Sequence, residues 1–145
     1  MKTRIFFIVS AIIVTLFIFG NSLKTAEVSG NSSKVFTEAI ENKIASHGKT
    51  YDTGKITFVV RKTAHLLEFA LQGFLIAGCF SGEFKKRIPY VLSLGGATAL
   101  IDEGLQFFSD GRSPMIQDVF LDFTGCALGL LVFFGAYKLI TKRKA

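Results

Sequence analysis

Ser81-Gly82-Glu83-Phe84-Lys85-Lys86-Arg87 joins two long apolar blocks, one from about Thr57 to Phe80 and the other from Ile88 to Phe108. So short a connection between blocks of that length reads as the turn between two membrane-crossing helices. A hydrocarbon core of about 30 Å takes about 20 residues of helix. Lys85, Lys86 and Arg87 are basic, and Lys and Arg gather in short loops on the cytoplasmic side. This turn therefore faces inward and orients the rest. Two further blocks, Ile5 to Gly20 and Met115 to about Leu139, complete four expected spans at about 5–20, 57–80, 88–108 and 115–139. Both termini then lie in the cytoplasm. On this arrangement nine basic residues share the inner side with one acid, Glu83, while eight basic residues face ten acidic ones on the outer side. Arg143 and Lys144 belong to the inner set, beside Lys138 and Lys142.

Half of the 145 residues are apolar, with 14 Gly in addition, and they are grouped in blocks rather than spread as in a soluble domain. The expected class is all-α: a polytopic membrane protein with four transmembrane helices, residues 1–145 forming a single membrane domain. The formal charge of +6 does not indicate nucleic acid, because the basic residues flank apolar blocks and form no stripe with aromatics between them. The first block has 16 residues and no clean small-x-small site after it, so it reads as an uncleaved span rather than a signal peptide. Cys79 and Cys126 fall at different depths and are expected as unpaired, inert thiols. The outer loop, 21–56, reads as a loop through Ser29-Gly30-Asn31-Ser32-Ser33. Ser33 then caps a short extracytoplasmic amphipathic helix. Val35, Phe36, Ala39, Ile40 and Ile44 form its apolar face, and it ends near Gly48. It either lies on the outer leaflet or covers the mouth of the bundle.

Three of the four spans carry charges, and the first carries none, so it reads as scaffold. A charge at the bilayer centre costs about 2.5–3.5 kcal/mol on insertion scales, so such residues face a bundle interior or a wet cavity. Arg61, His65, Glu68 and Gln72 recur at helical spacing, as do Asp102 and Gln106, Glu103 and Gln106, and Asp118 and Asp122. Residues three and four apart share a helix face. Counted along each helix, the acidic groups of the three spans fall in one layer of the outer half. Gly95, Gly96, Gly104, Gly125 and Gly129 are expected to let backbones approach closely. Ser109-Asp110-Gly111-Arg112-Ser113-Pro114 reads as a tight turn that holds Arg112 at the mouth, with Pro114 in the first turn of the last span.

Arg61-x-x-x-His65-x-x-Glu68-Phe69, Asp102-Glu103-x-x-Gln106-x-Phe108, and Gly111-Arg112 followed by Asp118-Val119 and Gly125 resemble, in order, the sequence elements of the VanZ-like family. Two positions depart from that pattern: Asp110 replaces a frequent Pro, and Asp122 a frequent Asn. The resemblance implies a bacterial membrane protein of the cell envelope, connected with susceptibility to glycopeptides of the teicoplanin type. It supplies no reaction.

Four readings of the layer stand side by side. In the first, it is a membrane-embedded site that binds or processes an envelope lipid. His65, Glu68, Asp102, Glu103 and Asp118 would then be the catalytic candidates, and Arg61, Lys62, Gln106, Arg112 and Asp122 the substrate-binding ones. Arginine offers carboxylates and phosphates a bidentate fork, and histidine can exchange a proton near neutral pH. The expected partners are membrane lipids, with a lipid-linked envelope precursor or a glycopeptide as candidate ligands. In the second, the charges only fix helix packing, with Arg61 and Arg112 paired to Glu68, Glu103, Asp118 or Asp102. A third reading is a cation site of His65, Glu68, Glu103 and Asp118. With one imidazole and no thiolate it is not adopted, and no metal or cofactor is expected. Transport, the fourth, needs a polar path through the inner half, which carries only Gln72. Whether the chain is an enzyme, and its oligomeric state, stay open.

Overall fold

The computed structural model describes residues 2–46 and 52–142, and these are all-helical, with no strand among them. The helices are α1 (Lys2–Ser22), α2 (Ala26–Ala45), α3 (Thr53–Cys79), α4 (Phe84–Gln106) and α5 (Ile116–Lys142). Each of the four expected apolar blocks is a helix. Gly48, Lys49, Arg143 and Lys144 lie outside the described residues. Two helices, α1 and α5, are long and apolar enough to cross a membrane. α3 and α4 have 27 and 23 residues, about 40 and 35 Å of helix, but they carry the charged positions. Ile5, Phe6, Ile13, Leu16 and Phe17 of α1 are all exposed, more apolar surface than a water-soluble monomer leaves open.

α3 is the hub, packed against all the other helices, and its tightest partner is α5. The reason is a set of missing side chains. A Cβ on Gly129 would lie 1.8 Å from the Ala70 carbonyl oxygen, and one on Gly73 would lie 2.1 Å from that of Cys126. The two backbones therefore touch. Gly125 makes the same kind of approach to Leu66, and Gly95 makes room for the Cys126 side chain. Gly96 makes only ordinary contact with Phe123. Gly104, expected to act similarly, faces open space. Both cysteines are free thiols.

One end of the bundle is an apolar core in which Phe74 and Phe133 meet edge to face at 5.3 Å. There the connection between α3 and α4 is closed from within. Arg87 is buried and donates to the carbonyls of Ala77 and Gly82, with its guanidinium over the Phe133 and Tyr137 rings. Arg4 donates to the Cys79 carbonyl at 2.8 Å. Two of the basic residues that mark this flank thus satisfy carbonyls at the end of α3, where a helix dipole favours positive charge.

α2 departs from expectation. Thr25, not Ser33, caps it, accepting the Val28 N–H, and Ser29 to Ser33 are helical rather than a loop. The hydroxyls of Ser32, Ser33 and Thr37 donate to the carbonyls of Val28, Ser29 and Ser33, so they bond within the helix instead of breaking it. Thr37 is buried against Thr57 of α3 at 3.4 Å, and the Ala26 N–H donates to the Asp110 carbonyl. The polar side of α2 thus lies over α3 and the α4–α5 turn, while Val35, Phe36 and Ile40 are exposed. Pro114 also shifts: α5 begins at Ile116, so the proline precedes the first turn.

Candidate functional site

Opposite the apolar core, all five helices and the α4–α5 turn bring polar side chains together. The turn comes first. Gly111 has φ +73°, a conformation that costs glycine little. The Arg112 N–H bonds back to the Ser109 carbonyl. The Arg112 side chain is thereby aimed into the bundle, where Nη2 donates to the Asn21 carbonyl at 3.4 Å. Its Nε and Nη1 are buried without a partner. Burial, and after it the like charge of Arg61, holds its pKa below the ordinary arginine value.

α4 contributes three buried side chains at its last turn. Asp102 accepts the Ser22 hydroxyl at 2.6 Å, and Gln106 donates to Glu103 at 3.2 Å and to Asp102 at 3.4 Å. The other oxygen of Glu103 accepts the Met115 N–H, a backbone donor just ahead of α5. From α5, Asp118 pairs with Lys62 of α3. One turn deeper, Asp122 Oδ1 stands 4.0 Å from His65 Nδ1. Asp122 is 1% exposed, and neither of its oxygens has a hydrogen-bond partner. Glu68 accepts from Asn21 at 3.0 Å and leaves its second oxygen unpartnered. Below this layer, Gln72 donates to Thr15 and Thr98.

Two cavities flank the Arg61, His65 and Arg112 side chains. One, about 250 Å³, is lined also by Lys62, Gln106 and Asp118. The other, about 300 Å³, lies under α2 and is lined also by Asn21, Lys24, Ser29, Ser32, Ser33 and Glu68. A shallower apolar groove of about 450 Å³ adjoins the first at Met115 and runs along Leu100, Phe107, Phe108, Ile116 and Val119.

All ten sequence-derived candidates lie in this layer, but their partners differ from those expected for a packing network. Among the described residues, neither Arg61 nor Arg112 is within ion-pair distance of a carboxylate; the pairs are Lys62 with Asp118 and His65 with Asp122. Asp102 and Glu103 are engaged with α1 and with the backbone ahead of α5. Arg112 and Asp122, in contrast, hold buried polar atoms without partners. The first helix is not mere scaffold: Asn21 and Ser22 join the layer, and Ser109 donates to the Ser22 carbonyl. Their position just past the apolar block, at the depth of the acids, is the signal that could have found them.

No curated protein and no solved structure matches this chain. Residues 7–140 match the family model described as VanZ/LLP1, from the first turns of α1 nearly to the end of α5. The family and the two apolar helices together point to a membrane protein. With the motif residues of all three elements gathered at one end of the bundle, and the match running over almost its whole length, the chain belongs to the VanZ/LLP1 family.

Proposed function

We propose that α1, α3, α4 and α5 cross the bacterial cytoplasmic membrane with both termini inside, and that the polar end opens outward to bind the anionic headgroup of an envelope lipid. The observation that carries this reading is Arg112: a buried guanidinium with Nε and Nη1 unpartnered, beside Arg61, on the wall of two polar cavities. Donors buried without partners are costly, and phosphate or carboxylate oxygens satisfy an arginine fork bidentately. The groove supports a lipid in particular. It meets the cationic cavity at Met115, so a headgroup and an acyl or prenyl chain fit side by side. A role in teicoplanin-type susceptibility follows if the lipid is a cell-wall precursor carrier.

The test uses purified full-length protein in nanodiscs of zwitterionic lipid doped with a prenyl diphosphate lipid. Saturable retention of the diphosphate lipid is expected, weakened about tenfold or more in Arg112→Lys, since a point charge does not replace a bidentate fork. Equal retention in Arg112→Lys and Arg61→Gln would refute the reading. Conversion of the lipid, absent in His65→Ala, would make the protein an enzyme; retention without conversion makes it a binder. A second reading, a network that only fixes packing, draws on the Glu103–Met115 and Asp102–Ser22 bonds. It requires that His65→Ala and Arg112→Lys vanish from the membrane rather than accumulate without function.

A further inference from the structure

Beneath the arginines, three ligand-type side chains from three helices converge. His65 of α3, Asp102 of α4 and Asp122 of α5 each offer one donor atom, and these atoms lie within 4.8 Å of one another. Donors at about 2.0–2.2 Å from a tetrahedral ion stand about 3.3–3.6 Å apart. Binding would therefore close the His65–Asp122 pair, 4.0 Å apart, by about half an ångström, and the widest pair of the set by about an ångström or slightly more. Convergence of acids alone would carry little, but Asp122 adds an independent observation. It is buried to 1% exposure, directed at His65, and has no hydrogen-bond partner on either oxygen. At 4.0 Å the His65–Asp122 separation is too long for a hydrogen bond and suits two ligands sharing an ion.

We infer that His65, Asp102 and Asp122 form a binding site for one divalent cation, of the Mn²⁺ or Zn²⁺ class. The surroundings fit. Ser22 and Gln106 donate to Asp102 at 2.6 and 3.4 Å, the outer partners that orient a ligating carboxylate. Charge fits too. Among the buried and half-buried charged side chains of α3, α4, α5 and their turn at this end, Glu68, Asp102, Glu103, Asp118 and Asp122 face Arg61, Lys62 and Arg112. With His65 neutral they leave a formal excess of two negative charges, which a divalent ion neutralises. One imidazole with two carboxylates favours Mn²⁺ or Zn²⁺ over Ca²⁺, which takes six to eight oxygens. The site shares His65 with the walls of the two cavities but does not use the unpartnered arginine that carries the lipid reading.

The experiment titrates metal-stripped, full-length protein in detergent, without added lipid, with Mn²⁺, followed by electron paramagnetic resonance and pulsed detection of ¹⁴N coupling. The expected result is one Mn²⁺ per chain with an imidazole nitrogen in its coordination sphere, displaced by Zn²⁺. Asp122→Asn, close to isosteric, should weaken binding by more than about a hundredfold, since even outer partners of ligands are worth about 10–100-fold. Arg112→Lys should keep the ion, so loss of lipid retention with Mn²⁺ intact separates this site from the lipid site. Absence of a stoichiometric ion in folded protein would overturn the proposal. So would a bound Mn²⁺ without nitrogen coupling, or undiminished affinity in Asp122→Asn.

Discussion

Glu103 shows how one side chain divides the structural from the chemical part of the layer. One of its oxygens accepts the Met115 N–H and the other accepts from Gln106, so it fastens the end of α4 to the start of α5. Gln at this position keeps an oxygen for the backbone donor; Leu does not. We expect Glu103→Gln to unfold within about 1 kcal/mol of the parent. Glu103→Leu should lose about 1–3 kcal/mol, the cost of a stranded buried donor, measured by thermal or denaturant unfolding in detergent. Equal losses would mean that the carboxylate charge, not the hydrogen bond, matters. Asp122 differs, because burial without a partner does nothing for packing. The i, i+4 spacing put Asp118 and Asp122 on one face, but it could not show that Lys62 takes one and that the other stands near His65 without a hydrogen bond.

The α3–α5 seam decides whether the layer assembles. Spacing suggested Gly104 as readily as Gly129, because both are glycines in apolar helices. Only the rotation of each helix about its axis determines which one meets a neighbour. Gly129→Ala drives a methyl into the Ala70 carbonyl oxygen and should cost about 1–3 kcal/mol, as overpacking does. Gly104→Ala enters open space and should be neutral or stabilising by about 0.5–1 kcal/mol, from helix propensity. Unfolding of the two variants in one detergent checks the contrast; equal effects would break the account of the seam. α2 teaches the same lesson. Its Ser-Gly-Asn-Ser-Ser run reads as loop by composition, yet hydroxyl back-bonding and the Thr37–Thr57 contact hold it helical.

For the whole molecule, the proposed orientation rests on the basic inner flank. Cysteine scanning in intact cells, on a background with Cys79→Ser and Cys126→Ala, checks it with an impermeant thiol reagent. Ser81→Cys and Thr141→Cys should stay unlabelled. Lys34→Cys, on the exposed face of α2, and Lys49→Cys, outside the described residues, should label. Labelling at Ser81→Cys would invert or break the arrangement. Arg87 adds a structural reason to the topological one. It is buried in the carbonyls that end α3, so Arg87→Ala should lower stability as well as loosen orientation.

The helical state of each apolar block, and the gathering of His65, Glu68, Asp102, Glu103, Asp118, Asp122 and Arg112 at one end, were legible in the chain. Block length and spacing are local properties that one helix carries by itself. Which groups pair, which stay without a hydrogen bond, and that Asn21 and Ser22, just past the uncharged stretch of α1, complete the layer were decided only by tertiary structure. Those outcomes depend on how far each helix turns about its own axis as it packs. That turn is set by steric contact between helices, at Gly73, Gly125 and Gly129 above all, and no periodicity within a single segment encodes it.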